Sequence, residues 1–98
     1  MRDNDEDGVY AISVAAEMVS MQVQSLRVYE RRGLLEPLRT AGGTRRYSRS
    51  DIRRLVRIRD LLADGLNLAG IERVLALEEQ LARLRQENER LKHRPGSR

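Results

Sequence analysis

Two short stretches decide the fold of this chain: LRVYERRGLL at residues 26–35 and TAGGTRRYS at residues 40–48. The first stretch has the apolar spacing of a helix that exposes several arginines, and Gly33 is suited to end that helix. The second stretch has a Gly-Gly turn followed by two arginines, which is typical of a β-hairpin. A basic helix beside a basic hairpin forms a surface suited to a phosphate backbone.

Composition limits the size of the core and the chemistry available to the chain. The 98 residues include three tyrosines and no Phe or Trp, so the core must be largely aliphatic. A chain of this length forms one small domain, and a core this thin usually needs a partner subunit. Cysteine is absent, which excludes disulfides, thiolate metal sites and thiol redox chemistry. We therefore expect no metal and no cofactor.

Charge and hydropathy predict the cellular compartment of the chain. The net charge of +4 is concentrated in residues 9–65, where eleven arginines and six acidic residues give +5. Residues 1–8 are acidic and do not resemble a signal peptide, and no apolar run approaches the ~18 residues of a membrane span. We expect a soluble, cytoplasmic chain with no membrane partner, and we expect residues 1–8 and 94–98 to be disordered tails.

Capping signals predict four helices around the hairpin. Ser13 is the predicted N-cap of a first helix, and a second helix is predicted over about residues 23–32 with Gln22 as its cap. The later helix boundaries are marked by a capping box of Ser48 with Asp51, by Gly65 and by Asn67.

The first two helices, over about residues 13–33, match a helix-turn-helix, whose second helix enters the major groove of DNA. Helical hairpins also occur in purely structural roles, so the spacing alone leaves that alternative open. The β-hairpin over about residues 37–47 favours DNA binding, because a basic ribbon beside a recognition helix is a wing that holds the DNA backbone.

Together these residues resemble the DNA-binding domain of the MerR family of bacterial transcription regulators. The resemblance covers roughly residues 10–76 and rests on the two opening stretches with Pro37, Arg39 and Asp51. Three segments are most similar to the heat-shock repressor (HspR) branch of that family: ISVAAE at 12–17, TAGG at 40–43 and NLAGI at 67–71.

The resemblance implies a mostly α fold, a MerR-like winged helix-turn-helix with a two-strand wing and a C-terminal coiled-coil dimerisation helix. The implied DNA-binding domain spans residues 9–76, and the implied dimerisation helix spans residues 77–93. The implied partner is double-stranded DNA, and the bound protein would associate with the bacterial nucleoid.

The resemblance also implies which side chains contact DNA. Gln24 and Arg27 would face bases or nearby phosphates, while Tyr29 would donate its hydroxyl to a phosphate. In the wing, Arg39, Arg45 and Tyr47 would hold the backbone. The full set of implied DNA-binding residues is Gln24, Ser25, Arg27, Tyr29, Arg39, Thr40, Gly43, Arg45, Arg46 and Tyr47.

Several of these residues have a structural alternative. Tyr29 and Tyr47 could be half-buried core residues, and Arg46 and Arg54 could be plain surface charges. Glu30 is expected to pair locally with an arginine, because a carboxylate near phosphate is repelled.

A coiled-coil seam is predicted near the C-terminus. Its residues alternate spacings of three and four: Val74, Leu77, Leu81, Leu84, Asn88 and Leu91. The seam predicts a homodimer, which would place two recognition helices over a palindromic site.

Asn88 would fix the register of the dimer helices if it is buried between them; the alternative is a frayed helix end that leaves Asn88 solvated. Glu87 and Lys92 could pair across a parallel dimer, whereas the family resemblance points to antiparallel helices.

No nucleophile–base pair or metal cluster is evident, so the chain is not predicted to be an enzyme. The predicted function is that of a stress-linked transcriptional repressor that binds a specific DNA sequence. The heat-shock branch implies a chaperone or other protein corepressor. The alternative is a MerR-like protein adaptor or chaperone modulator that does not bind DNA, and the basic wing and Arg27 argue against it.

Overall fold

The computed structural model describes residues 9–93, so the predicted tails at residues 1–8 and 94–98 lie outside the described residues. Helices and one antiparallel hairpin follow each other in the order α1 (Ile12–Val19), α2 (Val23–Arg31), β1 (Leu38–Arg39), β2 (Arg45–Arg46), α3 (Arg49–Ala63) and α4 (Leu68–Lys92). This mostly helical architecture with a two-strand wing confirms the predicted fold class. The chain divides into two compact units, of which the first ends at Asp64 and the second begins at Gly65.

α1 begins earlier than predicted. Its N-cap is Ala11, which makes no side-chain cap hydrogen bond, so the prediction that Ser13 caps this helix is wrong. The preceding residue, Tyr10, is held extended by an isolated bridge to Tyr47. The Tyr10 N–H donates to the Tyr47 carbonyl at 2.9 Å, and the Tyr47 N–H donates to the Tyr10 carbonyl at 2.7 Å. The bridge fixes an extended residue at position 10, Ala11 is also extended as the N-cap, and the helix starts at Ile12.

α2 follows the prediction closely. Gln22 occupies the N-cap position without a side-chain cap bond, and the helix ends at Arg31, one residue before the predicted end. Gly33 adopts a left-handed φ of 80°, which lets the next N–H, that of Leu34, donate to the Tyr29 carbonyl at 2.8 Å. This arrangement satisfies a carbonyl at the helix end and turns the chain toward the core.

The wing is a short, regular hairpin. Leu38 pairs with Arg46 and Arg39 pairs with Arg45. The turn is closed by a hydrogen bond from the Thr40 N–H to the Thr44 carbonyl at 2.8 Å.

The predicted capping box at the start of α3 is confirmed. The Ser48 hydroxyl accepts from the Asp51 N–H at 3.0 Å, and the Asp51 carboxylate accepts from the Ser48 N–H at 2.9 Å. At the other end, Gly65 has a φ of 95°, which agrees with its predicted role as the stop signal.

The core of the first unit forms where α1 packs against α2 and α3. Its fully buried side chains include Val19, Leu26, Tyr47, Leu55 and Ile58. Two arginines of α3 satisfy carbonyls of the neighbouring segments: Arg59 donates to Val19 at 3.0 Å, and Arg54 donates to Leu34. Arg54 is half-buried, so it is not a plain surface charge.

The second unit is dominated by α4, a helix of 25 residues. Asn67 caps it as predicted, since its side-chain oxygen accepts from the Gly70 N–H at 2.8 Å. Ile71 and Leu75 are buried, whereas every residue from 76 to 93 is exposed. The helix continues without a break through the predicted domain boundary at residues 76 and 77. Across residues 9–93, none of the helices is both long enough and apolar enough to span a membrane.

Candidate nucleic-acid interface

The outer face of α2 carries the two side chains predicted to read bases. Gln24 and Arg27 lie three residues apart and are exposed, and Arg31 adds a further exposed guanidinium one turn later. Within residues 9–93, neither Gln24 nor Arg27 makes a hydrogen bond to another side chain. The face therefore presents an amide and two guanidinium groups, which are the donors that major-groove contacts use.

Ser25 and Tyr29 face a different side of α2. Tyr29 is only 5% exposed, and its hydroxyl is hydrogen-bonded to the half-buried Ser25 one turn earlier. Burial raises the pKa of Tyr29, and the bond to Ser25 partly offsets that rise. The hydroxyl is thus neutral near pH 7 and already has a partner. This geometry favours the core alternative for Tyr29, and the phosphate contacts of Tyr29 and Ser25 stay predictions.

The wing places its polar groups around the hairpin turn. Thr40 and Gly43 are exposed, and the Thr40 hydroxyl accepts from the Thr44 N–H at 3.2 Å. Gly43 has a φ of 89°, a conformation that glycine adopts without steric cost. Arg46 is half-buried on β2. Thr40 and Gly43 therefore shape the turn, and any contact they make with DNA would come from an already ordered hairpin.

Glu30 joins the recognition helix to both strands of the wing. One carboxylate oxygen accepts from Nη2 of Arg39 at 2.7 Å, and the other accepts from Nε of Arg45. Nη1 of Arg39 also donates to the Gly43 carbonyl at 3.0 Å. The hydrogen bond to Glu30 raises the pKa of Arg45. The structure thus brings the predicted helix and wing residues together through a residue that was not predicted as part of the site.

The predicted pairing of Glu30 with an arginine holds, but its partners are not local. Arg39 and Arg45 are nine and fifteen residues away along the chain. The sequence did carry one signal for this role, because Glu30 is the single acidic residue between Glu17 and Glu36 in an arginine-rich segment.

Tyr47 lies in the core, which favours the structural alternative for this residue. Its side chain is 0% exposed, and its hydroxyl has no hydrogen-bond partner among the described residues. Burial raises the pKa of Tyr47, and the nearby Glu30 carboxylate raises it further. The bridge to Tyr10 follows directly after β2 and holds Tyr47 at the core, so this geometry favours the core alternative, and the phosphate contact of Tyr47 stays a prediction.

The predicted seam residues lie along α4, where most of them are uncovered by the other described residues. Val74 is half-buried, and the others are exposed, with Leu77 at 62% and Leu84 at 65%. Glu87 is paired within the helix to Arg90. A row of exposed leucines at this spacing is typical of a helix that packs against a partner helix.

Among residues 9–93, no group of three or more His, Asp or Glu side chains is placed to hold a metal ion.

Residues 10–78 match the sequence profile described as the MerR HTH family of regulatory proteins. The chain belongs to the MerR family. The family match includes both α2 and the wing, so Glu30, Arg39 and Arg45 all lie within the matched region.

Individual MerR relatives agree with this assignment. The chain is 49% identical to the heat shock protein HspR of Streptomyces coelicolor over 82% of this chain and 54% of that one. It is 37% identical to the regulator GlnR of Bacillus anthracis over 72% of this chain and 55% of that one. The chain spans about half the length of these curated relatives. It also resembles the crystal structure of HiNmlR, a MerR regulator lacking the sensor domain, bound to promoter DNA, with a TM-score of 0.65 and 27% identity.

The structural match covers 85% of this chain and 70% of HiNmlR. The proteins matched are regulators, which confirms the predictions that the chain is a MerR-type regulator similar to HspR and that it is not an enzyme.

Proposed function

We propose that this MerR-family chain is a sequence-specific transcriptional repressor that binds a palindromic promoter site as a homodimer. The observation that carries the proposal is the connection between α2 and the wing. Glu30 holds Arg39 and Arg45 beside a helix whose outer face exposes Gln24 and Arg27. A base-reading face and a phosphate-binding hairpin are thereby held in one unit.

The chemistry of these groups suits duplex DNA. Arginine donates two parallel hydrogen bonds to guanine, and glutamine does the same with adenine, so Arg27 and Gln24 are the proposed reading residues. The wing arginines would contact phosphates, which position the protein without reading sequence. Arg39 and Arg45 each keep guanidinium N–H groups beyond those used by Glu30 and Gly43, since a guanidinium has five.

Two relatives support the biological setting. HiNmlR is described as bound to promoter DNA, and HspR is named as a heat shock protein. We extend these properties to the present chain as a stress-linked repressor that works on DNA in the bacterial cytoplasm and nucleoid. We also propose that a chaperone or other protein acts as its corepressor. Adding a purified bacterial chaperone to a binding titration should tighten the complex, and an unchanged affinity would contradict that part of the proposal.

Dimerisation is proposed to use the exposed row of α4. The six seam residues lie on one side of the helix, and four of them are leucines that are 43% to 65% exposed in the single chain. Covering these leucines with a second copy removes apolar surface from water and would pair two recognition helices about a two-fold axis.

Selection of genomic fragments by the purified protein tests the proposal. We expect enrichment of fragments that share a palindrome. Gln24→Ala and Arg27→Ala should each reduce the preference for the palindrome by about 1–3 kcal/mol, whereas Arg83→Ala on the outer side of α4 should leave it unchanged. Failure to enrich any shared sequence would overturn the proposal of sequence-specific binding.

A further inference from the structure

Glu30 occupies a position that ordinary helix and interface electrostatics disfavour. It lies in the last turn of α2, where the helix dipole favours cations over carboxylates. It also lies in the surface proposed to meet phosphates, which repel a carboxylate. The helix dipole and the phosphates both disfavour a carboxylate here, so a favourable interaction must offset them.

The register of the hairpin places two positive charges opposite each other. Arg39 and Arg45 are direct cross-strand partners, and like charges placed opposite each other destabilise a hairpin. Glu30 sits between the two guanidinium groups and gives one carboxylate oxygen to each. The Glu30 side chain is 17% exposed, whereas those of Arg39 and Arg45 are 47% and 31% exposed, so only the carboxylate side of the two pairs is shielded from solvent.

The contacts also use only part of each guanidinium. Arg45 uses Nε toward Glu30, and Arg39 uses one N–H of Nη2 toward Glu30 and one of Nη1 toward Gly43. Within residues 9–93, the remaining N–H groups of both guanidinium groups have no other partner and can donate to a phosphate oxygen. Holding a long side chain in its bound conformation before association removes the entropy cost of ordering it at binding.

From this geometry we infer that Glu30 is a positioning residue for DNA binding, which locks the wing to α2 and orients Arg39 and Arg45 toward the phosphate backbone. The inference rests on the proposed DNA-binding function. Charge repulsion alone predicts that removing the Glu30 carboxylate strengthens DNA binding. The positioning role predicts the opposite: removing this charge weakens DNA binding.

The test compares Glu30→Gln, Glu30→Asp and the wild type in titrations against a mixed-sequence duplex and against the selected palindrome. Glu30→Gln should weaken binding to both duplexes by about tenfold, because two arginines must then be ordered at binding. Glu30→Asp keeps the charge but is one methylene too short to bridge both guanidinium groups, so it should also bind more weakly. The preference for the palindrome should stay the same, since α2 still reads the bases.

Glu36→Gln is the matched control, because Glu36 is exposed close to the wing and has no ion pair within the described residues. It removes the same charge and should leave DNA affinity equal or slightly higher. Backbone ¹⁵N relaxation supplies a measurement without DNA: the order parameters of residues 40–44 should fall in Glu30→Gln, while those of α3 should not change.

Three results would overturn the inference: DNA binding by Glu30→Gln that equals or exceeds that of the wild type, a Glu30→Asp variant that matches the wild type, or an unchanged wing in the relaxation data. These are distinct from failure of the proposed function, in which the wild type itself would not bind either duplex.

Discussion

The hydroxyl of Tyr47 is enclosed in the core without a hydrogen-bond partner among residues 9–93. A buried polar group without a partner lowers stability, so Tyr47→Phe should leave the free energy of unfolding unchanged or raise it by about 1 kcal/mol. The same substitution should not alter DNA affinity, because the ring does not reach the surface. Urea denaturation followed by circular dichroism and a DNA titration measure the two effects.

Tyr29→Phe serves as the comparison, because the hydroxyl of Tyr29 has a hydrogen-bond partner in Ser25. We expect it to lower the free energy of unfolding by about 1 kcal/mol. Weaker DNA binding by Tyr47→Phe would instead support the phosphate contact that the family resemblance implies for this hydroxyl.

At the scale of single elements, the capping box gives α3 a defined start. Ser48→Ala removes the side-chain acceptor for the Asp51 N–H and should lower the free energy of unfolding by about 1 kcal/mol. Ser13→Ala is the matched control, because Ser13 is exposed inside α1 and caps nothing. Thermal or urea denaturation distinguishes the variants, and equal loss in both would mean that Ser13 does act as a cap.

The elements also show which features of the fold and site were predictable from sequence. Asn67, Gly33 and the Ser48–Asp51 pair were predictable because each acts on backbone groups within a few residues. Exposure of Gln24 and Arg27 followed from the helical period of α2.

The remaining features depend on how distant segments meet. The start of α1 is set by the bridge between Tyr10 and Tyr47, which are far apart in sequence. The inward side of Tyr47 depends on strand register, since a shift of one residue would reverse it. Glu30 finds Arg39 and Arg45 only after the hairpin has folded beside α2, so no local pattern encodes that contact.

At the scale of the whole molecule, the exposed leucines of α4 predict that the protein functions as a dimer. Leu84→Asp places a charge in the centre of the seam and should give a monomer, because a charge buried without a partner in a dimer interface is strongly unfavourable. Gln86→Asp introduces the same charge on the outer side of α4 and should stay dimeric. Sedimentation equilibrium measures both, and a Leu84→Asp variant that remains a dimer would refute this interface.

α2 and the wing are proposed to bind duplex DNA together, and a salt titration tests this proposal most directly. The affinity of the wild type for the selected palindrome and for a scrambled duplex should be measured over a range of salt concentrations. We predict a steep linear fall of log affinity with log salt for both duplexes, because each phosphate contact releases counterions. Arg45→Ala should weaken both complexes to the same degree. Affinity that does not change with salt, or an absence of binding to either duplex, would contradict the account.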